Sequence, residues 1–223
     1  MLKNSEFQPV LFMVGSMALF SLEDFFIKLL SSTMPASQIM VIMGLSGSII
    51  FLFFAIVSKQ PVFSRDLLDK HVITRTLADL FGALFFVGAI VLTPLSSASA
   101  ILQGTPLAIT AGAAIFLKET VGVRRWLAVL IGFFGIILIV KPGLADFNPL
   151  SLLAVIAVIC LSARDLATRA MKTTLPTLTI SIYGFGAMAA AGILAIPFYG
   201  EFIRPNFGEM TILKVGIASG VAA

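Results

Sequence analysis

Seven ionisable side chains interrupt the apolar stretches of this sequence, and they are the residues best able to do chemistry there. They are Glu23, Asp24, Lys28, Asp79, Arg164, Asp165 and Arg169. A charge at the centre of a membrane helix costs about 2.5–3.5 kcal/mol on insertion scales, so such residues usually face a cavity, a pathway or a partner. We therefore interpret these seven as candidates for a substrate or ion pathway.

Two pairs of these charges have the spacing of neighbours on one helix face. Asp24 and Lys28 are four positions apart, and so are Asp165 and Arg169. Each pair is therefore predicted to form an ion pair within its own helix. The simpler interpretation is that each pair only lowers the cost of insertion into the membrane.

The remaining charges separate these two interpretations. Glu23 and Arg164 each add an unpaired charge beside a pair, and their opposite signs let them attract each other or a zwitterionic substrate. Asp79 lies one turn after Arg75 near the predicted start of a helix, where a structural ion pair at the membrane interface is favoured.

Three uncharged residues complete the predicted pathway. Pro106 cannot make the helical hydrogen bond to the carbonyl of Leu102, and Gln103 adds an amide beside that carbonyl. The pair is interpreted either as a ligand for a substrate or ion, or as a kink that serves packing alone. Tyr183, flanked by Gly184 and Gly186, is expected to line a cavity.

Other kinds of chemistry have little support in the sequence. The only histidine, His71, and the only cysteine, Cys160, belong to no ligand cluster, so we expect neither a metal site nor a cofactor. Asp24 and Asp79 are the one conceivable protease dyad, but nothing in their flanking sequences supports it. The sequence therefore does not indicate an enzyme.

Long apolar segments must position these side chains. Hydrophobic residues make up 59% of the 223 residues and charged residues only 12%, which is typical of a membrane protein rather than a soluble one. A span needs roughly 20 mainly apolar residues. The predicted spans are Pro9–Ile27, Ile39–Val57, Ile73–Leu92, Ser96–Leu117, Val123–Val140, Leu150–Met171 and Leu178–Phe198, followed by part of an eighth from Ile212 to the end. We expect an all-α integral membrane protein that is truncated within its eighth helix.

The positive charges of the loops predict the orientation. With the N-terminus inside, one side carries Lys3, Lys59, Arg65, Lys70, Lys118, Arg124, Arg125 and Lys172, and the other carries only Lys141 and Arg204. Short cytoplasmic loops are enriched in Lys and Arg, so the N-terminus is predicted to be cytoplasmic. This also explains the net charge of +4 without a nucleic-acid partner.

The sequence repeats itself with an offset of 141 residues. Ser21, Asp24, Lys28, Thr33 and Pro35 match Ser162, Asp165, Arg169, Thr174 and Pro176 in type. Because the first copy has five spans, the second must enter the membrane from the opposite side, as in secondary transporters built from inverted repeats. Residues 1–143 are predicted to form the first five-helix repeat, and residues 144–223 an incomplete second one.

A family resemblance rests on the fourth and fifth predicted spans. Residues 98–106 (ASAILQGTP), 113–119 (AAIFLKE) and 125–132 (RWLAVLIG), followed by Gly135 and residues 141–143 (KPG), resemble an EamA-type domain of the drug/metabolite transporter superfamily. The resemblance implies a ten-helix carrier of two inverted five-helix repeats. The helix Ser162–Arg169 is also similar to its counterpart in the S-adenosylmethionine carriers of this superfamily.

We therefore expect a secondary active transporter of the bacterial inner membrane that carries a small polar or zwitterionic metabolite. Export or exchange by alternating access is the expected mode, with a coupling proton or a counter-substrate as partner, and with the lipid bilayer and a second copy of the chain in a homodimer as further partners. The alternative is an assembly or scaffold protein, or an inactive fragment, that transports nothing.

Overall fold

The computed structural model describes residues 4–141, 147–171 and 175–200, and the side chains of residues 4–10 and 13 are left out of that description. The elements are α1 (Asn4–Leu30), α2 (Ala36–Val57), α3 (Lys70–Leu92), α4 (Leu95–Leu102), α5 (Thr105–Phe116), α6 (Val123–Val140), α7 (Ser151–Ala170), α8 (Thr177–Leu194) and the short α9 (Ile196–Tyr199). A 3₁₀ turn, Arg65–Leu68, precedes α3. Over the described residues the fold is entirely helical.

Six segments of the described chain are long and apolar enough to cross a membrane. They are α2, α3, the pair α4 and α5 taken together, α6, α7 and α8. These six match six of the predicted spans, so the expectation of a multi-pass membrane protein is confirmed. Helix α1 is not among the six, and the predicted span Pro9–Ile27 stays a prediction. The predicted eighth segment lies outside the described residues.

Helices α2 and α8 pack closely and run antiparallel. A Cβ added to Gly44 of α2 would clash with the backbone of Ala189, and would lie 2.7 Å from the carbonyl oxygen of Phe185. A Cβ on Gly192 of α8 would lie 2.8 Å from the carbonyl oxygen of Ser37. Without these side chains the two backbones approach each other as small residues allow in membrane helix pairs.

The predicted fourth span is two helices. Helix α4 ends at Leu102 and α5 begins at Thr105, so the break precedes Pro106. The expectation that Pro106 leaves the carbonyl of Leu102 free is wrong, because the Thr105 hydroxyl donates to it at 2.7 Å. A neighbouring side chain thus replaces the hydrogen bond that the proline cannot make.

Glycines in this region allow close packing of the helices. A Cβ on Gly112 would meet Leu166 of α7, and one on Gly132 would meet Leu107 of α5. Gly135 differs, since an added Cβ there would have nothing within 4 Å among the described residues. The outer face of α6, with Ile131 and Phe134 exposed, is free to face lipid.

Candidate functional site

An ionic cluster joins α3 to α7. Asp79 Oδ2 lies 3.0 Å from Arg75 Nη1, and Asp79 Oδ1 lies 3.5 Å from Arg164 Nη1. Arg164 Nε donates to Asp165 Oδ1 at 2.8 Å, and Arg75 Nε donates to Thr168 Oγ1 at 3.1 Å. These five residues, which we call the Asp79 cluster, hold two positive and two negative charges in one network.

Helix periodicity brings these side chains together. Arg75 and Asp79 are one turn apart on α3. Arg164 and Asp165 are adjacent near the end of α7, and Thr168 lies one turn after Arg164. Helix α7 packs along α3, which brings the two sets of side chains together. The Asp79 and Arg75 side chains are only 11% and 15% exposed, so the network lies between helices. Such a buried network is stable only while each charge keeps a partner.

Helix α8 closes over this cluster at a glycine. A Cβ on Gly184 would lie 3.2 Å from Asp79 Oδ2 and 3.8 Å from Arg75 Nη1. Asp79 Oδ2 is buried and its contact with Arg75 is too poorly aligned to count as a hydrogen bond. The carboxylate is therefore held by charge on one side and by the backbone of α8 on another.

A second polar joint lies at the C-terminal end of α3. Lys28 of α1 directs its Nζ at three backbone carbonyls, those of Ile90 and Val91 at 2.9 Å and that of Thr93 at 2.8 Å. Asp79 and Val91 are twelve positions apart on one helix, which is about 18 Å at 1.5 Å per residue. The Asp79 cluster therefore lies near the middle of α3, and the Lys28 contacts lie at its C-terminal end.

The predicted pairing within helices is correct for one pair and wrong for two. Arg75 and Asp79 form their pair, as expected. Lys28 bonds to the end of α3 rather than to Asp24, because helix carbonyls without partners at a C-terminus attract a cation strongly. Asp165 contacts Arg164, its neighbour in sequence, rather than Arg169.

The other charged candidates have different surroundings. Arg169 Nη1 lies 3.9 Å from Glu119 Oε1, which follows the end of α5. Both side chains are half exposed, so this contact contributes little. The structure shows no ion pair between Glu23 and Arg164; Glu23 and Asp24 lie half-buried on α1.

The uncharged candidate residues belong neither to the Asp79 cluster nor to the Lys28 contacts. Gln103 and Pro106 are exposed at the break between α4 and α5. The Tyr183 hydroxyl donates to the carbonyl of Val62 at 3.3 Å, and Thr179 donates to the carbonyl of Pro61 at 2.7 Å. Tyr183 therefore fastens α8 to the loop between α2 and α3, a role that its sequence context did not indicate.

Some members of these joints were missed by sequence reasoning. Thr168 had no distinguishing signal, since a threonine near a helix end is common. Thr105 had one, because a hydroxyl directly before Pro106 is well placed to satisfy the carbonyl that the proline leaves without a helical partner. No group of three or more potential metal ligands occurs in the described parts of the chain.

Comparison with known proteins gives consistent matches. Residues 8–141 match the model of the EamA-like transporter family. Over 201 residues the chain is 25% identical to the S-adenosylmethionine uptake transporter of Rickettsia bellii, covering 90% of this chain and 68% of that protein. It is 34% identical over 124 residues to the riboflavin transporter of Vibrio cholerae, covering 55% of this chain and 41% of that one.

A third relative is named as an exporter, whereas the S-adenosylmethionine relative is named as an uptake transporter. The pseudopaline exporter CntI of Pseudomonas aeruginosa is 23% identical over 206 residues, which cover 90% of this chain and 70% of the exporter. No solved structure matches the chain. The matches agree on transport of small molecules and differ in the molecule and in the direction.

Proposed function

The chain belongs to the EamA-like transporter family, and from that premise we propose that it carries a small polar or zwitterionic metabolite across the bacterial inner membrane by alternating access. The family and the relatives' names indicate a transporter rather than an enzyme. In this proposal the N-terminus is cytoplasmic, so the Asp79 cluster lies on the inner side of the Lys28 contacts, and Lys28 lies at the outer end of α3.

The Asp79 cluster is the observation that carries the proposal. It joins α3, from the first predicted repeat, to α7, from the second, and its own charges satisfy one another. A substrate with one charge has no unpaired partner there, so we assign the cluster the role of an inner gate rather than of a binding site. An alternating-access carrier needs a contact of this kind, present in one state and broken in the other.

Two contacts support the inverted repeat on which alternating access depends. The residue 141 positions after Gly44 is Phe185, and the two meet where α2 crosses α8. Equivalent helices related by a two-fold axis must cross at equivalent residues. Ser21 donates to the carbonyl of Met17 and Ser162 to that of Val158, which is the same bond in both proposed copies.

The substrate proposal follows the two relatives with the higher identities, 25% for the S-adenosylmethionine uptake transporter and 34% for the riboflavin transporter. The uptake transporter for S-adenosylmethionine matches 90% of this chain, so S-adenosylmethionine is our first candidate and riboflavin our second. Direction is open between uptake, export and exchange, because the relatives include both uptake and export proteins. We propose exchange or proton coupling as the energy source.

The test is counterflow in proteoliposomes that contain the purified chain. Vesicles loaded with unlabelled S-adenosylmethionine or riboflavin should accumulate the labelled molecule, and empty vesicles without protein should not. The Asp66→Asn variant, which changes an exposed carboxylate outside the cluster, should accumulate as much as the native chain. A folded chain that accumulates neither molecule, nor any of a panel of amino-acid-derived zwitterions, would indicate the assembly or scaffold role instead.

A further inference from the structure

The carbonyls around Lys28 form a site whose geometry fits an ammonium group. An ammonium has three N–H donors and no acceptor. Its nitrogen lies within 2.9 Å of three oxygens, those of Ile90, Val91 and Thr93, which we call the carbonyl cradle. Every donor of the side chain therefore has one acceptor.

The cradle exists because of the way α3 ends. The last four carbonyls of a helix have no helical partner, and they form the negative end of the helix dipole. Thr93 donates its hydroxyl to the carbonyl of Ala89 at 2.6 Å, and Pro94 prevents the helix from continuing. The carbonyls of Ile90 and Val91, together with that of the capping residue Thr93, accept from Lys28 of α1, so the backbone alone builds the site.

A shallow, open groove adjoins Lys28. It has a volume of about 260 Å³ and is lined by Phe25, Lys28, Leu29, Ser32 and Leu95. Sites for whole drug-sized ligands are usually about 300–1,000 Å³. This groove has room for one portion of a metabolite at most, with an aromatic and two aliphatic side chains beside the cation site.

We propose that the carbonyl cradle is a recognition subsite for a primary ammonium group of the transported molecule, and that Lys28 occupies it in the present conformation. A ligand ammonium replaces the Lys28 ammonium in the cradle, so the number of charges held by the carbonyls does not change. The exchange releases α1 from the end of α3 and couples arrival of the ligand to movement at the outer end.

This inference rests on the proposed function for its biological meaning, but its test measures binding alone. The variant Lys28→Met removes the tethered ammonium and keeps an unbranched side chain. The probe is methylammonium, which carries three N–H donors, and the control cation is tetramethylammonium, which carries the same charge and none. Lys59→Met, at an exposed lysine in the loop after α2, is the matched control variant.

We expect Lys28→Met, reconstituted in nanodiscs, to melt at a lower temperature than the native chain. Methylammonium should restore most of the lost melting temperature in a saturable manner, and tetramethylammonium at equal ionic strength should not. Lys59→Met should respond to neither cation. Equal responses of Lys28→Met to the two cations, or no response to either, would overturn the proposal.

A measurement on the native chain covers the case in which Lys28→Met does not fold. With ¹⁵N-labelled lysine side chains, the Lys28 ammonium should give a slowly exchanging NMR signal, assigned by its loss in Lys28→Arg. Methylammonium should weaken this signal by displacing Lys28, and tetramethylammonium should leave it unchanged. A signal unaffected by methylammonium at saturation contradicts the proposal. Absent counterflow alongside selective methylammonium binding would contradict the proposed function only.

Discussion

Replacing Asp79 by asparagine should favour the separation of α3 from α7 at the Asp79 cluster. The substitution keeps the size of the side chain and removes the negative charge that Arg75 and Arg164 share. Arg164 retains Asp165 at 2.8 Å and is about one-third exposed, so its loss is modest. Arg75 is 15% exposed and keeps its hydrogen bond to Thr168 and a longer-range attraction to Asp165, so it becomes a buried cation without a counter-ion in contact.

The size of the effect follows from that uncompensated charge. Removing one partner of a buried ion pair typically costs about 3–5 kcal/mol, and the lower end applies here because Arg164 stays paired. If that cost of about 3 kcal/mol falls on the closed state alone, the ratio of open to closed protein rises about 150-fold. A smaller rise is expected if Arg75 remains partly buried in the open state.

The only cysteine of the chain is a natural reporter for this change. Cys160 lies one turn before Arg164 on α7, and its Cβ is 3.6 Å from where a Cβ of Gly82 would lie. A polar, impermeant thiol reagent applied from the inner side reaches it when α3 and α7 separate. We expect the labelling rate of Asp79→Asn to rise by up to about two orders of magnitude. Asp66→Asn, an exposed carboxylate on the same side, should label at the native rate.

A second substitution tests the reasoning. Adding Arg75→Gln to Asp79→Asn removes the lone cation, so the labelling rate should fall back toward the native value. An unchanged labelling rate in Asp79→Asn would show that the cluster does not hold the inner end closed. A double variant that labels faster than Asp79→Asn would show that charge compensation is not the cause.

Two further predictions concern the scaffold. Thr105→Val leaves the carbonyl of Leu102 without its donor and should lower the unfolding free energy by about 1–3 kcal/mol. The control, Thr110→Val, removes only a second donor from the helical carbonyl of Pro106 and should cost less. Equal losses of the two variants in thermal unfolding would contradict the role given to Thr105. Gly44→Ala should destabilise the protein by about 1–3 kcal/mol or more, because the added Cβ meets the backbone of α8. The control, Gly135→Ala, places its Cβ in open space and should be neutral or stabilising. A stable, active Gly44→Ala protein would refute the close packing of α2 on α8.

Hydropathy predicted the positions of most helices because the membrane imposes one length and one polarity on every span. Helices α3, α6, α7 and α8 lie within a few residues of their predicted limits. The break in the fourth span was placed only approximately. A proline indicates that a hydrogen bond is missing, but Thr105 and the contact between Gly104 and Ile136 decide where the two helices separate.

The partners of the charged residues were harder to predict. The four-residue spacing identifies which side chains can meet on one helix, and it was sufficient for Arg75 and Asp79. It gives no account of acceptors on other helices, so it missed the carbonyls that hold Lys28. Backbone carbonyls carry no sequence signature, and the end of α3 becomes a cation site only through its position beside α1.

The contact between α2 and α8 can form only late in the synthesis of the chain. Gly44 and Ala189 are 145 positions apart in the sequence. The surface of α2 at Gly44 therefore has no helix to pack against until nearly all of the described chain has been made. At about 5–20 residues per second, that interval is roughly 7–29 s. During this time α2 must remain in lipid or beside an insertion factor with its glycine face uncovered. Helices α3 and α7 are likewise far apart in the chain, so the Asp79 cluster between them also forms late.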